Sequence, residues 1–154
     1  MQEATIKSFD HFSLEKELQT TLINQKFTVP TDIQVRAIPS ILAGKDIFAQ
    51  AKTGSGKTGA FAIPIINNII TKKLKNNNSK GPFYLVLTPT RELTQQIEGV
   101  FQDFGSKINL KTLSIIGGEE YKHQKQKLED GTDIVIAPPG RLIDLYKQQS
   151  LNFN

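Results

Sequence analysis

Ala51-Lys52-Thr53-Gly54-Ser55-Gly56-Lys57-Thr58 is a small-residue loop ending in Lys-Thr, and how it is read decides the fold. Upstream, Asp46-Ile47-Phe48-Ala49-Gln50-Ala51 has the length and bounding residues of a buried strand. Downstream, Gly59-Ala60-Phe61-Ala62-Ile63 opens a run with helical apolar spacing. The loop is therefore expected to join a strand to a helix. At such a junction, unpaired N–H groups and the positive end of the helix dipole point the same way, which suits a triphosphate. Gly54 and Gly56 supply backbone freedom and close approach, and Lys57 a point charge for the outer phosphates. Thr58 offers a hydroxyl to Mg²⁺, and Ala51, Lys52, Thr53, Ser55 and Gly59 complete the cradle. The general pattern has Gly where Ala51 stands, a minor departure. The plainer alternative is a flexible glycine turn.

The 154 residues are enough for one domain with a buried core, and 38% hydrophobic with 22% charged residues is a globular composition. Without cysteine there is neither a disulfide nor a thiolate metal site, and the expected compartment is intracellular, in the cytoplasm. The amino terminus lacks the basic and apolar regions of a signal peptide. The longest apolar run, Ala60 to Ile66, contains Pro64 and is too short to cross a bilayer, so no membrane partner is expected. Nineteen basic against fifteen acidic residues leave a net charge of +4, compatible with a polyanion and equally with a solvated lysine-rich surface. Arg36, Arg91 and Arg141 are the three arginines, the side chains best suited to bidentate phosphate contacts. His11 and His123 stand apart without carboxylate companions, so no histidine metal site is expected.

In chain order, residues 1 to 12 read as an irregular lead-in carrying Phe9 and Phe12. Ser13 is expected to cap a helix to about Gln25, with Leu14, Leu18, Leu22 and Ile23 as its buried stripe. Thr31 caps a second helix, with Ile33, Val35, Ile38, Ile41 and Leu42, that ends at Gly44 and contains Pro39. The cradle helix runs from Lys57 to about Leu74, with a kink expected at Pro64, and Lys75 to Pro82 is a surface loop. Phe83–Leu87, Thr112–Ile116 and Asp133–Ala137 read as strands. Helices follow at Arg91–Phe104, Glu119–Glu129 and Arg141–Gln149, and on the middle one Tyr121 and Leu128 make a thin contact line. Alternation of this kind argues for an α/β fold, a parallel sheet with helices on both faces. The loops after its strands then share one rim, where ligands bind.

Taken together, residues Phe9 to Arg141 resemble the DEAD-box family of ATP-dependent RNA helicases, and they match part of one of its two RecA-like domains. Phe27-Thr28-Val29-Pro30-Thr31-Asp32-Ile33-Gln34 is similar to the family's adenine-reading Q motif, with Phe9 at the upstream aromatic position and Lys26 where the family usually has Gly. The resemblance implies that Gln34 hydrogen-bonds the adenine edge and that Phe9 packs on the ring. From spacing alone, Thr31-Asp32-Ile33-Gln34 is a capping box, and the two roles can coexist. Phe9 alone would be read as a core aromatic. Pro89-Thr90-Arg91, Gly117-Gly118 and Gly140-Arg141 match the motifs that hold the RNA sugar-phosphate backbone. Contacts of that kind are blind to sequence and weakened by salt. Pro138 stands where the family has Thr, removing a hydroxyl that would contact phosphate.

The resemblance thus implies ATP and Mg²⁺ as cofactors, RNA as partner, and Lys57 and Thr58 as catalytic residues. The domain plan expected from it is a Q-motif segment over residues 1–44 and a partial RecA-like ATP-binding domain over 45–154. The family's Asp-Glu-Ala-Asp motif lies on a strand beyond Asn154, and no Asp-Glu pair occurs here. The chain is expected to be an incomplete domain that does not turn over ATP at family rates by itself. A competing reading is a non-catalytic nucleotide-dependent RNA-binding module. A third, a DNA-directed helicase or another ATPase with this kind of loop, fits the Phe27–Gln34 stretch less well.

Overall fold

The structure, a computed structural model, describes residues 8–75, 81–118 and 121–147. Its packing divides into two units, Met1–Lys75 with Phe104–Ile108, and Asn76–Asp103 with Asn109–Asn154.

The first unit is helical. Phe9 and Phe12 are both buried, with ring centroids 5.9 Å apart, and the chain carrying them is wound into a 3₁₀ turn, Phe9–Phe12. That turn corrects the expected helix start. Ser8 caps this turn, accepting from the Asp10 N–H at 3.2 Å, Ser13 takes a left-handed conformation after it, and the cap position of the next helix falls to Glu15, whose side chain makes no capping hydrogen bond. Helix α1 spans Lys16–Asn24. Leu14, Leu18 and Leu22 are buried as the spacing requires, whereas Ile23 is 60% exposed, one step beyond the stripe. The residue ahead of α1 is pinned to the long helix α3 (Lys57–Lys75). The Glu15 N–H donates to Asn67 Oδ1 at 2.7 Å, and Thr71 Oγ1 donates to the Glu15 carboxylate at 3.0 Å. Helix α2 (Asp32–Leu42) packs along α3, burying Ala37 and Ile38 near a stripe of Ala60, Ile63 and Ile66. Pro39 and Pro64 are accommodated inside their helices.

The expected strand ahead of the cradle also fails. Asp46–Ala51 forms no strand, and its side chains are open to solvent, with Phe48 98% exposed. A strand exists only through backbone pairing with a neighbour. Among the described residues none pairs with this segment, so apolar composition does not make it one.

The second unit holds the sheet. Strands β1 (Tyr84–Leu87), β2 (Thr112–Ser114) and β3 (Ile134–Ala137) lie in the order β1-β3-β2, all parallel, with Tyr84 and Thr112 both level with Ile134. Helices lie on both faces. They are α4 (Arg91–Gly105), α5 (Tyr121–Glu129) and α6 (Pro139–Lys147). Leu113, Ile115, Val135 and Ala137 form one side of a core with Leu142 and Leu145, against which Tyr121 and Leu128 pack. The thin contact line read on α5 is therefore real. Every residue of β3 is buried, as a central strand covered on both faces requires. The middle of the expected Lys75–Pro82 loop, the Glu119–Glu120 start of the fifth helix, the end of the sixth and the first seven residues lie outside the described residues.

Candidate functional site

Two clusters of predicted residues assemble, one in each unit. In the first, the cradle leads into α3. Gly54 and Gly56 have φ of +78° and +87°, a left-handed region open to Gly and strained for other residues. The Lys57 ammonium folds back onto the loop, donating to the carbonyls of Ala51 and of Lys52, the latter at 2.8 Å. The Ser55 hydroxyl is buried and has no hydrogen-bond partner. No acidic residue occupies the first turn of the 19-residue α3, so nothing offsets the positive end of its dipole. Helix-start N–H groups, a lysine and an unsatisfied hydroxyl are a donor set suited to a phosphate chain.

Gln34 joins this cradle. The Thr31 N–H donates to Gln34 Oε1 at 3.0 Å, completing the capping box at the start of α2. The amide end of the same side chain donates to the Gly56 carbonyl at 3.1 Å. Gln34 is fully buried, and this second bond accounts for its burial. The capping reading was available from the sequence, but the bond to Gly56, 22 residues away, was not, because no local pattern encodes it.

Phe9 and Phe27 line a pocket of about 200 Å³ together with Ser8, Gln19, Leu22 and Thr28. Phe9 is 4% exposed, so most of its ring is spent on packing, while Phe27 is 39% exposed and meets Phe104 edge-on at 5.0 Å. Gln34 is not among the residues lining this pocket.

The second cluster lies on the rim where β1, β2 and β3 end. After β1, Thr88 continues the ladder by donating its N–H to the Ala137 carbonyl at 3.1 Å. Its buried hydroxyl meets Thr94 Oγ1 at 2.6 Å. Thr90 caps α4 by accepting from the Leu93 N–H at 3.2 Å, and a hydroxyl that accepts keeps its own hydrogen to donate. After β2, Arg91 reaches across to the Gly117 carbonyl at 3.1 Å, so the first and second expected motifs touch. Gly118 has φ +95°, and buried Gln124 on α5 donates to the Ile116 carbonyl at 3.2 Å, fixing the chain just before the glycine pair. Sequence reading missed Gln124, since a lone Gln on a polar helix looks like solvated surface.

After β3, Pro139 stands at the first position of α6, where its fixed φ is suited and no N–H is needed. The Pro138 carbonyl accepts from the Leu142 N–H at 3.3 Å, so the helix start is held without the missing hydroxyl. Arg141 lies over the Tyr121 ring, 5.7 Å from its centroid. Pro89, Thr90, Arg91, Gly117, Gly118 and Gly140 line the rim, and Arg141 is half-buried.

A family model described as DEAD/DEAH box helicase matches residues 31–154. The chain is 45% identical over 144 residues to the ATP-dependent rRNA helicase RRP3 of Candida glabrata, covering 93% of this chain and 28% of that protein. It is 41% identical over 145 residues to the DEAD-box ATP-dependent RNA helicase RhpA of Helicobacter pylori, covering 94% of this chain and 28% of that one. The crystal structure of a DEAD box protein from the hyperthermophile Methanococcus jannaschii matches with a TM-score of 0.83 at 38% identity. That match covers 94% of this chain and 38% of the other. The chain thus spans little more than a quarter of the length of these two curated relatives.

Proposed function

The chain belongs to the DEAD/DEAH box helicase family, and on that premise we propose that it carries the ATP-binding surface and part of the RNA-binding surface of an ATP-dependent RNA helicase. One observation carries the nucleotide reading. Gln34 is bonded at once to its own helix cap and to the Gly56 carbonyl, so a base-reading side chain and the phosphate cradle form one rigid piece. In this reading Phe9, Phe27, Thr31 and Gln34 hold the adenosine end, and Ala51 to Gly59 hold the phosphates. Residues 1–44 form the adenine-reading segment, and 45–154 part of the RecA-like ATP-binding domain.

Lys57 meets the outer phosphates once it leaves the Ala51 and Lys52 carbonyls, and Thr58 supplies a hydroxyl to Mg²⁺. Among the described residues no group of three His, Cys, Asp or Glu is disposed to hold a metal ion. Thr58 is the residue of this chain that would hold the cation. Bound Mg²⁺–ATP supplies the phosphoryl bond whose hydrolysis drives unwinding. The rim residues Pro89, Thr90, Arg91, Gly117, Gly118, Gly140 and Arg141 hold an RNA backbone without reading bases. Among the described residues no helix is long and apolar enough to cross a membrane, and work in the cytoplasm belongs to the same proposal.

The test is nucleotide affinity, measured with a fluorescent ATP analogue. Removing the ammonium in Lys57→Ala takes away a charge-assisted contact and is expected to weaken binding on the order of ten- to a hundredfold. Unchanged affinity would end the assignment.

A further inference from the structure

Arg91 and Arg141 stand on the same rim and are held in different ways. Arg91 spends a donor on the Gly117 carbonyl at 3.1 Å. The Arg141 guanidinium lies 5.7 Å from the centroid of the Tyr121 ring. A ring's quadrupole attracts the flat cation as a whole, so this contact orients the guanidinium over the ring face. The ring is itself anchored. Tyr121 is half-buried and packs against the core of Leu113, Ile115, Val135, Ala137, Leu142 and Leu145, so it is a fixed platform rather than a mobile surface aromatic. A long arginine parked on a rigid ring has already lost much of the side-chain freedom that binding would otherwise take from it.

We propose that Tyr121 is a positioning residue for RNA: its core-anchored ring holds the Arg141 guanidinium ready for the sugar-phosphate backbone. This rests on reading the rim as an RNA surface. It also gives α5 a part in binding, though its sequence is otherwise that of a polar outer helix. Tyr121 acts through Arg141 and needs no contact with RNA.

The test is binding of a fluorescein-labelled single-stranded oligouridylate to the full chain, read by anisotropy, for wild type, Tyr121→Phe, Tyr121→Leu, Arg141→Ala and the Leu/Ala double variant. Leucine keeps the apolar packing and removes the ring face, and is expected to weaken binding roughly two- to fivefold. Phenylalanine, which keeps the ring face, is expected to bind more tightly than leucine, and in the Arg141→Ala background the leucine is expected to cost nothing more. If Arg141→Ala weakens binding and Tyr121→Leu does not, the proposal is overturned and the RNA reading of the rim survives. A leucine effect of equal size in both backgrounds also overturns it, because Tyr121 would then act on the fold and not on Arg141. If the wild type does not bind, or Arg141→Ala changes nothing, the rim reading fails and the proposal with it. Should Tyr121→Leu not fold, pentafluorophenylalanine at position 121 keeps the ring's shape while reversing the charge of its face. It must bind more weakly than Tyr121→Phe, and equal affinity rejects the role.

Discussion

Gly56 is the residue on which the proposed nucleotide site turns. A Cβ added there would lie 2.7 Å from Gln34 Nε2 and 2.8 Å from Thr31 Oγ1, and the backbone sits at φ +87°. Gly56→Ala therefore combines left-handed strain with a clash against a buried amide that has nowhere else to bond. The expected outcome is a loss of about 1–3 kcal/mol in thermal or urea unfolding, together with weakened ATP-analogue binding. At this scale the sequence was informative wherever chemistry is local. The glycines, Lys57 and the Thr31–Gln34 box were all legible, because each depends on neighbours within a few positions. The Gln34–Gly56 bond and the seating of Arg141 on Tyr121 were not, since both pair residues about twenty apart that only the folded chain brings together. Ser13 misled for a related reason. The burial of two phenylalanines, a tertiary effect, decided where the first turn was made.

Among the elements, α4 connects the Thr90–Arg91 turn to Phe104, and its one flaw is Gly99. That glycine lies in the helix interior, and a Cβ there would meet nothing within 4 Å. Gly99→Ala is expected to stabilise the fold by about 0.5–1 kcal/mol, seen as a rise in Tm, without changing oligouridylate affinity. Helices α3 and α4 were predictable from period, since each buries a stripe, and strand β3 from a short apolar run bounded by turn residues. The cradle segment Asp46–Ala51 was not. Periodicity reports which side chains prefer to be buried, whereas a strand also needs a partner for its backbone, and that partner is not a property of the segment. Strand β2 shows the same limit more mildly. It closes at Ser114, although the Ile115 N–H still reaches the Ile136 carbonyl at 2.9 Å.

For the molecule as a whole, the alternation of elements implied an α/β fold with a parallel sheet, the resemblance implied its RecA-like form, and the fold is both. The order of strands was beyond the sequence, because period and propensity say nothing about who sits beside whom. Net charge is a whole-molecule property too, and +4 is as compatible with a solvated lysine-rich surface as with a polyanion. Affinity for single-stranded RNA should come from the few arginine contacts on the rim. Its logarithm is expected to fall with the logarithm of salt concentration, with a slope that becomes shallower by about 0.7 when Arg91 or Arg141 is replaced by Ala. An unchanged slope would mean that neither meets a phosphate. The order β1-β3-β2 has one more effect, on synthesis. Both β1 and β2 bond to β3, so among the described strands neither has a partner until residues 134–137 have been synthesised, and their pairing waits on that later segment.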